Sequence, residues 1–311
     1  MIQWKRGYNP SEWGTPIILA GADEIAELKA TSGMVTFSGG ECPVDFLYEY
    51  VGSDTTFVSF HAALSVGTEE LPVFTGRSIS EGLGVNRVFF SDPSLIMDSD
   101  LTLGWFLGTK SLDYPEIAYS TIRALQERFG GQNLVFFGSS GGGFASLKIA
   151  HRFPESLAIC VNPQTKVTDY GQVFWERYAR LCHDAVDEVD ARRILDGRLG
   201  ADVRSLYAQG MSNYVLYLQN AFDSHVRLHM LPFIESVASP ERVGALFGWN
   251  WGQGHRPPPA QVLRQVLRHS GRVWGDWNRL FELAEAHVAP TRRDILSVLS
   301  RAKKEIDAQQ E

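Results

Sequence analysis

Short apolar runs, rich in β-branched and aromatic residues, recur along this chain with helical patterns between them. They are Met34–Ser38, Val44–Val51, Thr55–Phe60, Arg87–Ser91, Asn133–Phe137, Leu157–Val161, Tyr214–Leu218 and Val243–Phe247. Each has the length of a strand and is too short for a stable helix. Runs such as LVFF and LAICV are apolar throughout. A strand of that kind is buried on both faces, which is the state of a parallel strand in a sheet covered by helices on both sides. Val44–Val51 instead alternates, with Phe46, Tyr48 and Tyr50 on one face. The short connections near the front of the chain also permit antiparallel pairing there. The pattern predicts an α/β fold with a mostly parallel sheet.

The intervening helices carry their own signals. Asp113 can cap a helix whose apolar stripe is Ala118, Ile122, Leu125 and Phe129, with Pro115 early and Gly130 at the stop. A second helix follows GSSGGG and runs to about Phe153, with Pro154 beyond. Two segments break the alternation. Residues 165–212 are helix-rich and charged between two strand candidates, and are expected to form an inserted cap or lid. From Asp276, Trp277, Leu280, Phe281, Ala284 and Val288 are expected to line one amphipathic helix. Ile295, Leu299, Ala302 and Ile306 line another, and Pro290 separates them. The expected organisation is a main domain over 1–275, lid included, and a helical extension over 276–311 packed on it. A homodimer contact through that extension is the alternative.

Composition removes several classes. A net charge of −7 gives no basic face for a phosphate backbone, so no nucleic-acid partner is expected. The three cysteines, Cys42, Cys160 and Cys182, are widely spaced and form no CxxC pair, which argues against a zinc ribbon, a redox motif or a disulfide scaffold. No uninterrupted apolar run reaches the roughly 18 residues of a spanning helix. The N-terminus lacks the apolar core of a signal peptide. The expected setting is the cytoplasm, without a membrane partner.

Chemistry concentrates at Gly138-Ser139-Ser140-Gly141-Gly142, a G-x-S-x-G match. A strand precedes it and a helix of small residues follows, the context in which the central Ser sits on a sharp, strained turn above the sheet. The flanking positions must be small because backbone passes close by. No Lys-Ser/Thr pair follows the glycines, so a phosphate loop fits poorly, and the dinucleotide glycine pattern fails at Ser146. Ser140 is therefore the candidate nucleophile, and the Gly141 N–H is a candidate oxyanion donor. The second donor is expected from the loop Phe60-His61-Ala62-Ala63-Leu64, at Ala63 or Ala62.

A neutral Ser needs a base, and the base needs an orienting acid. Asp223 lies just past the strand YVLYLQ, and His255 lies in a Gly-rich loop past VGALFGW. They are the candidate acid and base. For Asp223 the competing reading is a helix N-cap, because Ser224-His225 opens a helical stretch. His225 is the nearest rival base. His225 and His229 stand four apart, but no Glu follows the first, so HVRLH is not a metalloprotease pattern and no metal is expected. His61, Ser139 and Trp175 are candidate residues of the substrate pocket. Trp175 is one of an aromatic set with Tyr170, Phe174 and Tyr178, whose competing reading is ordinary helix packing.

These pieces, FHAA, GSSGG, Asp223 after a late strand and GQGH, resemble the α/β-hydrolase superfamily over roughly residues 30–270. The resemblance implies an eight-stranded, mostly parallel sheet, a lid, and ester or related acyl chemistry on a small-molecule substrate without a cofactor. It departs from the commonest form in the oxyanion loop, where alanines stand in place of His-Gly. An acyltransferase with the same triad, and a non-catalytic binding protein of the same fold, are the alternatives.

Overall fold

The computed structural model describes residues 4–310. All eight apolar runs are strands, and two more join them. In chain order they are β1 (Ile17–Leu19), β2 (Ser32–Phe37), β3 (Val44–Glu49), β4 (Thr55–Phe60), β5 (Asn86–Phe90), β6 (Asn133–Ser139), β7 (Leu157–Val161), β8 (Tyr214–Asn220), β9 (Val243–Gly248) and β10 (His287–Val288). They build one ten-stranded sheet in the order β10-β9-β8-β7-β6-β4-β5-β3-β2-β1. From β5 to β9 every neighbouring pair is parallel. Only β3, among those first eight runs, is antiparallel to its neighbours β2 and β5. This strand carried the alternating pattern.

The sheet thus exceeds the expected eight strands by one at each edge. β1 pairs parallel with β2, and β10 pairs antiparallel with β9. Both are short, and neither has a fully buried residue. They leave no hydrophobic period in the sequence because an edge strand of two or three half-exposed residues needs none. β10 also corrects the expected helix over 277–288. That helix ends at Leu283, and Val288 lies in the strand with 47% of its surface exposed. Glu285 and Ala289, both at positive φ, turn the chain before and after β10, and the Ala289 N–H donates to Val243 O at 2.9 Å.

Helices cover both faces. α1 (Tyr114–Phe129) starts at Asp113, whose side chain accepts from the Glu116 N–H, and stops at Gly130 with φ 82°. α2 (Gly141–Ala150) follows β6 and is buried at nearly every position, which explains its small residues. Residues 165–212 contain α3 (Gln172–His183), α4 (Glu188–Arg193) and α5 (Val203–Gln209). They join the main apolar core through Trp175, Tyr178, Val203 and Tyr207. Polar ties add to this: Tyr178 Oη donates to Gly108 O at 2.7 Å and Tyr207 Oη to Leu147 O at 3.0 Å. After α6 (Leu231–Ser236), α7 (Ala260–Ser270) and α8 (Trp277–Leu283) cover the opposite face with Val266, Leu267, Trp277, Leu280 and Phe281. α9 (Arg292–Gln310) lays Ile295 and Val298 on the main cluster. The three cysteines are free and buried. Among the described residues no helix is long and apolar enough to cross a membrane.

Because β4, β6, β7, β8 and β9 run parallel, their C-terminal ends meet at one edge of the sheet. Ligands of open parallel sheets bind beyond that edge. Ser140, Asp223, His255 and the FHAA loop all follow strands that end there.

Candidate active site

Ser140 joins the end of β6 to the start of α2 with φ 54° and ψ −117°. A non-glycine residue in that region is strained and persists only where the surroundings hold it. Here they do. The Ser140 N–H donates to Val161 O at 2.9 Å, and its carbonyl accepts from the Phe144 N–H at 3.1 Å and the Gln164 N–H at 3.2 Å. The flanking glycines are required by backbone. A Cβ at Gly138 would lie 2.1 Å from Gly142 O, and one at Gly142 would lie 2.4 Å from Phe60 O and 2.5 Å from His61 O. The close passes expected from the motif are therefore two: Gly138 against Gly142 within the elbow, and Gly142 against the loop after β4.

That loop carries the other oxyanion candidates. Phe60 pairs in register with Gly138, so Ala62 and Ala63 follow directly beside the elbow. The Leu64 N–H is committed to Thr102 O at 2.8 Å. Among the described residues no acceptor of the chain takes the Ala62 or Ala63 N–H. Gly141 opens α2, where the first N–H groups have no intrahelical acceptor. All three candidate donors are thus free to meet a ligand oxygen.

Two expected pocket residues are corrected. His61 is buried beneath the loop: its Nδ1–H donates to Ala62 O at 2.7 Å, and its Nε2 accepts the Asp92 N–H at 3.0 Å. Those two bonds require the neutral tautomer, and burial pushes the imidazole below its ordinary value in the same direction. It holds the loop's shape rather than facing a substrate. Trp175 is fully buried in the core, with the Arg192 guanidinium carbon 4.6 Å from its ring centroid. Of the aromatic set, Tyr170 instead reaches the site, its ring centroid 5.9 Å from that of His225, with the exposed Phe174 packed at a tilt beyond it at 5.3 Å. Ser139 is half-buried at the last position of β6.

Asp223 and His255 come together. His255 Nδ1–H donates to Asp223 Oδ2 at 2.6 Å, with the imidazole side chain 39% exposed and the carboxylate buried. The other carboxylate oxygen, Oδ1, accepts the His225 backbone N–H at 2.9 Å. The two hydrogen-bonding arrangements set out above as alternatives, to the His255 imidazole and to a backbone N–H at a helix start, are both present, one on each oxygen. Burial pushes Asp223 up, but the bond from His255, the field of His225 and the backbone bond outweigh it and leave the carboxyl below its ordinary value. Asp223 is thus ionised wherever an imidazole could act as a base. Ser140 Oγ accepts from Gln164 Nε2 at 3.2 Å, and among the described residues its bond to His255 is not closed. Such contacts commonly tighten only with substrate in place.

His225 is held in place by its surroundings. Its Nδ1–H donates to Asn162 O at 3.1 Å, and burial lowers its basicity. Ligand atoms of Asp223, His225 and His255 lie within 4.8 Å of one another. The Nδ1 of each imidazole is already engaged, one with Asn162 O and one with Asp223, which suits a hydrogen-bonded acid–base pair better than a chelate.

Two asparagines that sequence reasoning missed hold the loops together. β9 stands three strands from β6, at about 5 Å per strand, so the His255 loop must fold back across the sheet edge. Asn220 Nδ2 donates to Gly252 O and Gly254 O, both at 2.9 Å, and Asn162 Nδ2 donates to Arg256 O at 2.8 Å. Asn162 Oδ1 accepts the Asn220 N–H at 2.7 Å, which joins the two. The available signal was positional: VNPQ and LQNAFD place polar side chains directly past apolar strands. We expect Asn220→Ala to leave the melting temperature within a few degrees but to lower the reactivity of Ser140 about tenfold or more, because it frees the loop that carries His255. Titration of Ser140 by an active-site phosphonylating reagent reads the effect, and an unchanged rate would show that the loop does not need this tie.

The strand order, the strained elbow and the paired Asp223 and His255 define an α/β-hydrolase fold. Solved structures with this architecture include the capsule O-acetyltransferase of Neisseria meningitidis serogroup A, with TM-score 0.53 and 15% identity over 74% of this chain and 94% of that one. The 2,6-dihydroxy-pseudo-oxynicotine hydrolase is similar at TM-score 0.52 and 15% identity, over 84% of this chain and 71% of that one. Puromycin hydrolase is similar at TM-score 0.55 and 13% identity, over 84% of this chain and 40% of that one. No protein-family model matches the chain, and no curated protein matches it in sequence.

Proposed function

We propose that this protein is a serine hydrolase that cleaves a carboxylic ester, or a related acyl bond, through a covalent acyl-Ser140 intermediate. The observation that carries the reading is the 2.6 Å bond from His255 to the buried Asp223, on loops at the same sheet edge as the strained Ser140. In this reading His255 takes the Ser140 proton as Oγ attacks the carbonyl carbon. Asp223 holds the imidazole in the tautomer that leaves Nε2 free to accept it, and stabilises the imidazolium. The N–H groups of Gly141 and of Ala63 or Ala62 receive the oxyanion. His255 then returns the proton to the leaving group, and water, activated by the same imidazole, releases the acyl group. Tyr170 beside His225, with Phe174 packed on Tyr170, suits a substrate with an apolar or ring-bearing part.

A second reading, acyl transfer to a hydroxyl, is favoured by the likeness to the O-acetyltransferase, which extends over nearly all of that enzyme's length. It differs only in whether water or an alcohol resolves the acyl-enzyme. A panel of p-nitrophenyl esters of increasing chain length, with and without added alcohols or sugars, separates the two. Ser140→Ala is expected to lower hydrolysis by more than about two decades. A smaller loss would remove Ser140 as the nucleophile. An ester product that grows with added alcohol at the expense of free acid would favour transfer.

A further inference from the structure

Gln164 is a fully buried polar side chain just past β7, and it touches the hydroxyl of Ser140. Its orientation is fixed by chemistry rather than by choice. The indole N–H of Trp105 can only donate, and it is hydrogen bonded to the Gln164 side-chain oxygen. The amide nitrogen must then be the atom that faces Ser140 Oγ, and it can only donate. Trp105 is itself fully buried and packs edge-on against Tyr178, with ring centroids 5.8 Å apart. The backbone adds a second hold, since the Gln164 N–H donates to Ser140 O and Val161 O accepts the Ser140 N–H. The turn 161–164 therefore grips the elbow from three points, one of them the reacting oxygen.

We propose that Gln164 is a further catalytic residue: its side-chain amide donates to Ser140 Oγ, so that the hydroxyl proton is directed to His255 and the charge carried by Oγ during acyl transfer is stabilised. A hydroxyl has one proton and two lone pairs. With one pair taken by Gln164, the proton is left for the imidazole and the other pair for the acyl carbon. In the first half-reaction the O–H bond breaks, the proton moves to His255 Nε2, the Oγ–C bond forms, and the carbonyl π pair moves onto the carbonyl oxygen, which the oxyanion N–H groups hold. That pair then re-forms the C=O bond as the bond to the leaving group breaks and the leaving group takes the proton from His255. In the second, water gives a proton to His255 as its oxygen bonds the acyl carbon and the π pair moves onto the carbonyl oxygen. That pair then re-forms the C=O bond as the C–Oγ bond breaks, and the pair returning to Oγ takes the imidazolium proton. Oγ is electron-rich in both, and the Gln164 amide faces it in both. This role rests on Ser140 being the nucleophile, and adds to it a donor outside the triad and the oxyanion loop.

The test follows covalent labelling of Ser140 by a fluorophosphonate across pH, in the full chain and in Ser140→Ala, Gln164→Met and Gln164→Glu variants, with melting temperatures in parallel. Gln164→Met keeps length and burial but removes the donor. It is expected to slow labelling by at least about tenfold, less than the roughly 10²–10³-fold cost of an oxyanion donor. Gln164→Glu keeps the bond to Trp105 but turns an acceptor toward Oγ, which draws the Ser proton away from His255. It is expected to label more slowly than Gln164→Met at neutral pH, with the gap closing as pH falls and the carboxyl regains a proton to donate. The Glu variant carries the test alone if the Met variant does not fold. A labelling rate within about twofold of the parent for Gln164→Met, or a Gln164→Glu variant that follows the parent at every pH, would overturn the role. A parent chain that does not label at Ser140 would overturn the nucleophile itself, and with it this proposal.

Discussion

Asp223→Asn is expected to leave the fold intact and to lower kcat on any ester the protein cleaves by about three to four decades. The reason is the proton on His255. An ionised Asp223 accepts from Nδ1–H, so Nε2 carries the lone pair that takes the Ser140 proton in the proposed mechanism. An asparagine amide would donate to Nδ1 instead, place the proton on Nε2, and leave the base unable to act. The oxygen that accepts the His225 N–H would still be present, so the local backbone would keep its bond. A loss under about tenfold would mean that Asp223 does not set the tautomer.

The same residue gives a pH signature. Its folded carboxyl lies below the ordinary value of 3.8, so ionisation favours the folded state. That contribution is complete above the unfolded value and is lost as pH falls through the lower folded one. The part of the parent's stability over Asp223→Asn that comes from this carboxyl's ionisation is therefore expected to fall away in acid, below about pH 4. Thermal unfolding of both chains across that range measures it.

Gly142→Ala is the second large effect. The new Cβ would lie 2.4 Å from Phe60 O and 2.5 Å from His61 O, and neither is a flexible side-chain end that can swing aside. The start of α2 and the oxyanion loop would have to part. We expect a destabilisation of about 3 kcal/mol or more, toward the upper end for overpacked sites, together with loss of Ser140 reactivity. Gly197→Ala is the matched control: no atom lies within 4 Å of its added Cβ, and its expected change is within about 0.5 kcal/mol. Denaturant unfolding of the two variants decides it, and equal stabilities would show that the close pass is not a constraint.

Much of this was legible in the sequence because it depends on local chemistry. Eight strands announced themselves as apolar runs, and the elbow as two glycines around a serine. The order Ser140, Asp223, His255 followed from where those strands end. Other features depend on partners far along the chain. Whether His61 faces ligand or core is decided by Asp92, thirty-one residues on. Trp175 and Tyr170 belong to one aromatic set, and only the packing of Arg192 and His225 separates the buried one from the one at the site. Asn162, Gln164 and Asn220 act through loops that meet only in the folded sheet, so a single polar letter past a strand end did not distinguish them. β1 and β10 left no periodic signal because edge strands this short bury almost nothing.

The most direct measurement is peptide mapping of the protein after reaction with a fluorophosphonate. The expected result is a single adduct on Ser140, absent from Ser140→Ala and slowed by at least two decades, roughly, in His255→Ala. An adduct on another residue, or ester hydrolysis that persists with Ser140 unlabelled, would contradict the assignment of this edge of the sheet as a serine acyl-transfer site.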